Sequence, residues 1–550
     1  MASVISELEE IATTVNEAEP VDEKEVDEKE VGENIFSDTR PVKTRLWEIR
    51  NSYKYLMIVY ISAIGIGIDS LLFSLLLGME SFRKAYGYYD EATSGWVIRA
   101  KYQSGWNGGS FGCQVLGAFF AGWYNDKFGR KSSLAISCII TIIGNTVAIT
   151  APVGHPINLV MAKCVIGIGI GILVSTCPVY LSELMSPTLR GIGSMGINFS
   201  ICFGQWIGSL IYFGCSKNYT GIDDSTGYKI AFGIQYLLVG GYLLLFWFMP
   251  ESPSYLIHRG KLEEAKAAIK KLYHNKNNTE YDIDSHYEIL IKEVEEEKMN
   301  AESEKEVSYA ELFKATNLKR VVLSIFALTG QLWVGVSFVL TYISYFFELA
   351  GVSSSIEKTV GMFTLCVGGN LVSYFVIERV DRRVLYIGGV ALCTIMNLLI
   401  ACVSYGSSQA AAYTTVVFVF LWAFIYEATV GPLTYALITE LPQGRMRAKS
   451  VAITSNVNSL CSFGLGYLIP YLFNPDEVNM GARIMFVWTG TGVVLFVVML
   501  FFLPETRGRT ANEIEQLFVN KVGALKFKRA KFDEDDKLIM SSVGKEVSQA

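Results

Sequence analysis

Gly122 to Lys131 reads GWYNDKFGRK, and Val376 to Arg383 reads VIERVDRR. Each closes an uncharged apolar stretch of about 20 residues, long enough at 1.5 Å per residue to cross a hydrocarbon core of about 30 Å. Working outward, the two runs are the first of three matched pairs. Glu183 with Arg190-Gly191 is echoed by Glu440 with Arg445 and Arg447, and PESPS (Pro250 to Ser254) is echoed by PETRGR (Pro504 to Arg509). Three echoes at equivalent places imply a duplicated unit. Duplicated membrane bundles suggest alternating access around a central site.

Hydropathy places about twelve spans, six near 55–78, 105–124, 133–151, 157–181, 191–213 and 230–249, and six near 320–348, 357–377, 384–405, 411–438, 449–472 and 483–503. The chain therefore reads as an all-α membrane protein of two six-helix bundles. Its parts are an acidic tail (1–50), a first bundle (51–250), a linker with short helices (251–318), a second bundle (319–504) and a C-terminal tail (505–550). In the linker, KLEEAKAAIKKLY (Lys261 to Tyr273) has amphipathic helical spacing, and EILIKEVEEEK (Glu288 to Lys298) is a charged helical run.

Of 550 residues, 51% are hydrophobic and only 18% charged, against roughly 25% charged in soluble chains. This excludes a soluble multidomain enzyme, a disordered protein and a secreted disulfide scaffold. The net charge of −6 comes mostly from the N-terminal tail. There VDEKEVDEKEV (Val21 to Val31) has too few apolar residues for a core and is expected to be disordered. No secretory signal is apparent in that tail. The ten cysteines are scattered without a C-x-x-C pair, so neither a metal nor a cofactor is expected.

Lys127, Arg130 and Lys131, then Arg379, Arg382 and Arg383, then Arg445, Arg447 and Lys449 mark the 2–3, 8–9 and 10–11 connections as cytoplasmic by the positive-inside rule. Both termini and the linker are then cytoplasmic, and Asn218-Tyr219-Thr220 becomes an external glycosylation candidate. Asn277-Asn278-Thr279 matches the same pattern on the wrong side.

With these loop pairs in place, the chain resembles the sugar porter family of the major facilitator superfamily from about residue 52 to residue 518. TYISYFFELAGV (Thr341 to Val352) and RAKSVAI (Arg447 to Ile453) look most like fungal disaccharide permeases of the maltose and lactose type. The resemblance implies the major facilitator fold, a sugar substrate and a plasma-membrane location. It also implies a gating network at cytoplasmic helix ends: Asp126, Arg130, Glu183, Arg190, Glu251, Glu378, Arg379, Arg382, Glu440, Arg447 and Glu505. Carboxylates and arginines placed there can pair across the halves and then separate into water. A set of merely solvated positive-inside charges is the alternative.

Polar groups in hydrocarbon usually face a cavity or each other. Asp69 in GIGIDSLLF (span 1) and Lys163 in MAKCVIGIGIG (span 4) both come out about 9 Å below the external edge of the core. Two opposite charges at one depth in one bundle read as a pair. In proton-coupled sugar porters an Asp in this context is the protonation site and an Arg in span 4 its partner, so the resemblance implies proton coupling at Asp69, with Lys163 departing from Arg. A purely structural salt bridge in a uniporter is the alternative. The four histidines lie outside the spans, which disfavours a histidine relay.

A sugar calls for amide, hydroxyl and aromatic partners. Asn198 and Gln205 share one face of span 5 and match two sugar-binding positions of the family, Asn198 replacing the usual Gln. In span 7, Gln331, Gly335, Phe338 and Tyr342 form one helical stripe. Against the family's QQxxGxN pattern, Leu332 and Ser337 replace two amides, which implies a different or larger sugar; Tyr342 matches the following aromatic pair. In span 10, Glu427 and Gly431-Pro432 match a family glutamate and a helix-breaking gate. Tyr435 stands where hexose carriers have Trp. Asn458 in span 11 matches a family amide, and Asn370 in span 8 is a further polar candidate. Each of these residues also reads as an ordinary interhelical hydrogen-bonding group.

No nucleophile–base pair, phosphate loop or metal cluster marks an enzyme. The expectation is a sugar transporter, with proton symport of a disaccharide favoured over a sugar sensor or a passive facilitator; a C-terminal tail shorter than that of the sensors supports transport. Expected partners are the sugar, protons, the lipid bilayer and, at tail lysines, ubiquitin-ligase adaptors, with no nucleic acid.

Overall fold

The structure is a computed structural model that describes residues 52–91, 95–185, 190–219, 225–273, 312–349, 354–406, 408–442, 447–507 and 511–532, with isolated residues elsewhere. The acidic tail, five of the eleven residues of the Glu288–Lys298 run and the last ten residues lie outside the described residues.

The first bundle contains helices Tyr53–Leu77, Ala100–Phe128, Arg130–Ile149, Pro156–Leu184, Arg190–Asn218 and Thr226–Phe246, which are spans 1 to 6. The second contains spans 7 to 12. Span 7 is split into Ala315–Trp333 and Val336–Leu349, and span 8 is Ser355–Arg379. Span 9 is Arg382–Val403; span 10 is split into Gln409–Ala428 and Val430–Glu440; spans 11 and 12 are Arg447–Phe473 and Met485–Phe502. The face bearing the basic connections is called inner below, and the opposite face outer.

Among the described residues, nine helical segments are long and apolar enough to cross a membrane by composition alone. Spans 2, 5 and 11 fall short of that criterion although they run 29, 29 and 27 residues. They carry Gln103, Asn107, Asn198, Gln205, Asn456 and Asn458. A span that faces the opposite bundle can hold amides that lipid would not tolerate.

Both breaks have local causes. In span 7, Gly335 has φ +93°, and a Cβ there would lie 2.9 Å from the Trp488 ring. A left-handed residue interrupts the helix and only glycine fits. The expected continuous stripe from Gln331 to Tyr342 is thereby divided. In span 10 the break falls at Thr429. Pro432 lacks the N–H that would bond the Ala428 carbonyl, and its ring crowds that carbonyl.

Two elements were not anticipated. After span 1, the helix Glu80–Tyr86 and an antiparallel hairpin, Tyr88–Asp90 with Gly95–Val97, cover the outer face. The amphipathic linker run does form a helix, Leu262–Tyr273, burying Ala265, Ala268, Ile269 and Leu272. Tyr273 Oη donates to Leu184 O at 2.9 Å and Ser52 Oγ donates to Leu272 O at 3.0 Å, so this helix packs beneath the first bundle.

Candidate functional site

Asp69 and Lys163 meet inside the first bundle. Lys163 Nζ lies 2.7 Å from Asp69 Oδ2 and 3.1 Å from the Asp69 carbonyl oxygen. Both side chains are almost fully buried. The ammonium also lies 5.0 Å from the Phe73 ring centroid, a favourable cation–π placement. The second carboxylate oxygen accepts from Gln235 Nε2 of span 6 at 3.0 Å. Gln235 was missed in the sequence, although an amide in the apolar run GIQYLLVG obeys the rule that found Asp69.

A second polar cluster lies in the second bundle, facing the first. Asn370 Nδ2 donates to Glu427 Oε2 at 3.0 Å, with both residues buried. Asn198 faces the same carboxyl from the first bundle without completing a hydrogen bond. Tyr426 Oη donates to Gln331 Oε1 at 3.1 Å, and the Tyr426 ring stacks on Trp422 at 5.1 Å between centroids. Tyr435 lies beside Gln331 and Glu427 and is half exposed. Trp422, Tyr426, Asn370 and Glu427 are themselves buried, and Tyr435 is the exposed ring of the group. Asn458 lines a cleft between spans 2 and 4 on one side and span 11 on the other, with about 520 Å³ of free space.

Other candidates sit apart. Gln205 Nε2 reaches Ser70 Oγ of span 1 at 3.5 Å. Ser337 is half buried beyond the span 7 break. Tyr342 lies on the outer side of the span 7 break. It is 1% exposed, and its hydroxyl accepts from Asn107 Nδ2 of span 2 at 2.5 Å, so it belongs to a seal rather than an open wall.

That seal closes the outer face across the bundles. Gln103 Nε2 donates to Asn474 Oδ1 at 3.0 Å, Ser104 Oγ to Tyr467 O at 2.7 Å and the Ala100 amide to Asp476 Oδ2 at 3.0 Å. Arg83 pairs with Glu348 at 3.1 Å. None of these residues was singled out in the sequence, because each reads alone as an ordinary loop or helix-end polar group. Below the seal, spans 2 and 11 diverge around the cleft, which places its opening toward the inner face.

The inner-face motif residues pair within bundles here, where the outer side is sealed; the cross-bundle pairing expected of them belongs to the outward-facing state. Arg130 binds Glu183 through Nε at 3.1 Å and Nη2 at 3.0 Å, with exposed Asp126 only 4.0 Å away. Glu251 Oε1 accepts the amides of Arg130, Lys131 and Ser252 at 3.0, 3.2 and 3.0 Å. In the second bundle Arg382 pairs with Glu440. Glu505 accepts the amides of Arg382 and Arg383, each at 3.1 Å. Each glutamate thus caps the start of a helix with orphan N–H groups, while Arg379 lends its carbonyl to Arg507. With the bundles parted on this face, local amides are the partners within reach. The side chains of Arg190, Glu378 and Arg447 lie outside the described residues.

A family profile described as "Sugar (and other) transporter" matches residues 55–518. This chain belongs to that family. Among curated relatives, it is 27% identical over 505 residues to the alpha-glucosides permease MPH3 of Saccharomyces cerevisiae, covering 90% of this chain and 81% of that protein. It is 28% identical over 419 residues to the high glucose sensor RGT2 of the same organism, covering 73% of this chain and 53% of that protein. Its fold is similar to an inward open conformation of the xylose transporter XylE from E. coli, with TM-score 0.69, 18% identity and coverage of 84% of this chain and 99% of the other. The sugar transporter family is a family of carriers, and this member has its multi-pass two-bundle fold.

Proposed function

We infer that this member of the sugar transporter family carries a disaccharide, of the alpha-glucoside class, inward with a proton by alternating access. The observation that carries the coupling is the buried Asp69–Lys163 pair. Breaking a buried ion pair by neutralising one partner costs about 3–5 kcal/mol, so protonation of Asp69 is a large local signal. When the outer side is open, Asp69 takes a proton, the pair loosens and the first bundle closes over sugar. On the inner side the proton leaves and the pair re-forms. Two observations support a larger sugar: Leu332 and Ser337 stand where hexose carriers have amides, and half-exposed Tyr435 offers a ring-sized face near Gln331.

In this reading the protein resides in the plasma membrane with both termini cytoplasmic. Asn218, exposed at the outer end of span 5, carries the glycan. Tail lysines receive ubiquitin through ligase adaptors. The inner-face ion pairs rearrange as the bundles swing and act as the gate. Similarity to a glucose sensor keeps a receptor as the second reading.

The test is uptake of labelled mono- and disaccharides into transporter-deficient cells, with and without a protonophore. The expected result is protonophore-sensitive accumulation of an alpha-glucoside. In Asp69→Asn, accumulation against a gradient disappears while sugar exchange persists. Undiminished accumulation by that variant would overturn proton coupling at Asp69. Absence of all uptake, with sugar-dependent changes in gene expression, would establish the receptor instead.

A further inference from the structure

We propose that the proton bound at Asp69 leaves through a passage inside the first bundle, separate from the cleft between the bundles that releases sugar. This rests on the reading of Asp69 as the proton site.

A cavity begins at Asp69 and is bordered by Ser62, Ser137, Thr141, Gln235 and Tyr242. Its free space is about 40 Å³, room for about three or four waters at the roughly 10–15 Å³ each needs. Direction follows from the helices. Span 1 runs from inner to outer face, so Ser62 lies about two turns inward of Asp69. Span 6 runs the other way, so Tyr242 lies about two turns inward of Gln235. The cavity therefore descends from the carboxylate toward the inner face. It shares no lining residue with the cleft between spans 2, 4 and 11.

Its polar atoms point to water. Gln235 Oε1 and Tyr242 Oη are buried with no protein partner, although buried polar atoms are nearly always satisfied. The three hydroxyls all donate to their own helix: Ser62 Oγ to Ile58 O at 3.3 Å, Ser137 Oγ to Leu134 O at 2.7 Å and Thr141 Oγ1 to Ser137 O at 2.9 Å. Their lone pairs remain for accepting. With Gln235 Oε1 they are a few acceptors set in a wall otherwise built of Ile61, Ile66, Ile170, Leu173 and Val239, which suits a short file of water better than an anion or a sugar hydroxyl network.

The titratable groups on the cavity are Asp69, Cys138 and Tyr242, with Lys163 on the far oxygen of Asp69. Facing Tyr242 from the inner side are Cys177, Tyr180 and Glu251. One proton leaves the Asp69 carboxyl, and the carboxylate left behind re-pairs with Lys163. Water takes the proton. Tyr242 accepts it on a lone pair while its own hydroxyl proton passes inward to the Glu251 carboxylate, the base on that side, and so ends unchanged. Glu251 lies at the inner edge beyond it.

The experiment compares net uptake with exchange in cells expressing the full chain, using maltose or whichever sugar of the uptake panel the wild type accumulates. Gly65 borders the cavity, and a Cβ there meets nothing within 4 Å. Gly65→Val places a side chain in the water space without a clash at its Cβ. Its proton-coupled accumulation is expected to fall by about tenfold or more, and that of Tyr242→Phe by a few-fold, with sugar exchange and surface expression retained in both. Wild-type accumulation by both variants overturns the passage. If Gly65→Val loses exchange as well, Tyr242→Phe, which conserves volume, decides: full accumulation overturns the passage. A protonophore-insensitive wild type, or an accumulating Asp69→Asn, sinks the proton reading itself, a distinct result.

Discussion

At the scale of single residues, depth was the informative quantity. Asp69 and Lys163 are far apart in sequence, yet residue counts along two helices brought them to one level, and they meet at 2.7 Å. The same counting did not reveal that Gln235 takes the other carboxylate oxygen, since that requires knowing how span 6 is rotated. Glu251 shows a different residue-scale balance. Burial pushes its carboxyl above the ordinary range, against the lowering effect of three amide hydrogen bonds and Arg130. All three amides reach one oxygen, Oε1. Glu251→Gln keeps a carbonyl oxygen for that role and is expected to stay within about 1 kcal/mol of wild type, whereas Glu251→Ala orphans the amides and loses about 2 kcal/mol. Thermal unfolding in detergent measures both. The pH sign follows from the upward shift. The folded state holds this proton more tightly than the unfolded one, so the contribution is full below the unfolded value of about 4.3 and is lost as pH rises through the folded value. Glu251→Gln should therefore lose less stability than wild type as pH rises above about 4.3.

At the scale of elements, composition located the spans, and backbone constraints decided which of them bend. The Gly431-Pro432 pair announced the bend in span 10, although the break itself falls at Thr429, next to Ala428, whose carbonyl Pro432 cannot bond. Gly335 in span 7 carried no comparable signal, because a glycine inside an apolar helix is as often a packing contact as a left-handed turn. Gly335→Ala imposes a Cβ on φ +93° beside Trp488 and should cost about 1–3 kcal/mol, read as a lower unfolding midpoint. Close approach governs spans 1 and 5. A Cβ on Gly67 would lie 2.1 Å from Ile201 O, and one on Gly204 would lie 2.2 Å from Ile64 O. Two reciprocal glycines let the backbones touch, as small residues do between membrane helices. The weaker apolarity of spans 2, 5 and 11 is explained at this scale too: they face the other bundle.

At the scale of the whole molecule, the conformation is set by which end of the interface is sealed. Outer contacts from Arg83 to Asp476 hold the bundles together on one side and leave the cleft open on the other. Arg83 is a buried cation whose guanidinium is shared between Leu77 O at 2.8 Å and Glu348 at 3.1 Å. The Glu348 side chain is 37% exposed, which weakens the pair through solvent screening. Arg83→Gln should shift the population toward the outward-open state by about fivefold, or about 1 kcal/mol. Spin-label distances across the outer ends of spans 1 and 7 report it; an unchanged distribution would assign the latch to Gln103, Asn474 and their neighbours instead.

What the amino-acid sequence determined by itself was the number of spans, their duplication, the sugar transporter resemblance and the charged pair in the first bundle. Those properties depend on composition, helical rise and depth, which are local or one-dimensional. The outer seal, the pairing of inner-face motifs within each bundle, the Glu427–Asn370 contact and the small cavity below Asp69 were decided only by tertiary structure. Each depends on helix rotation and on the relative tilt of two bundles, and the same sequence must adopt more than one such tilt to carry its substrate across.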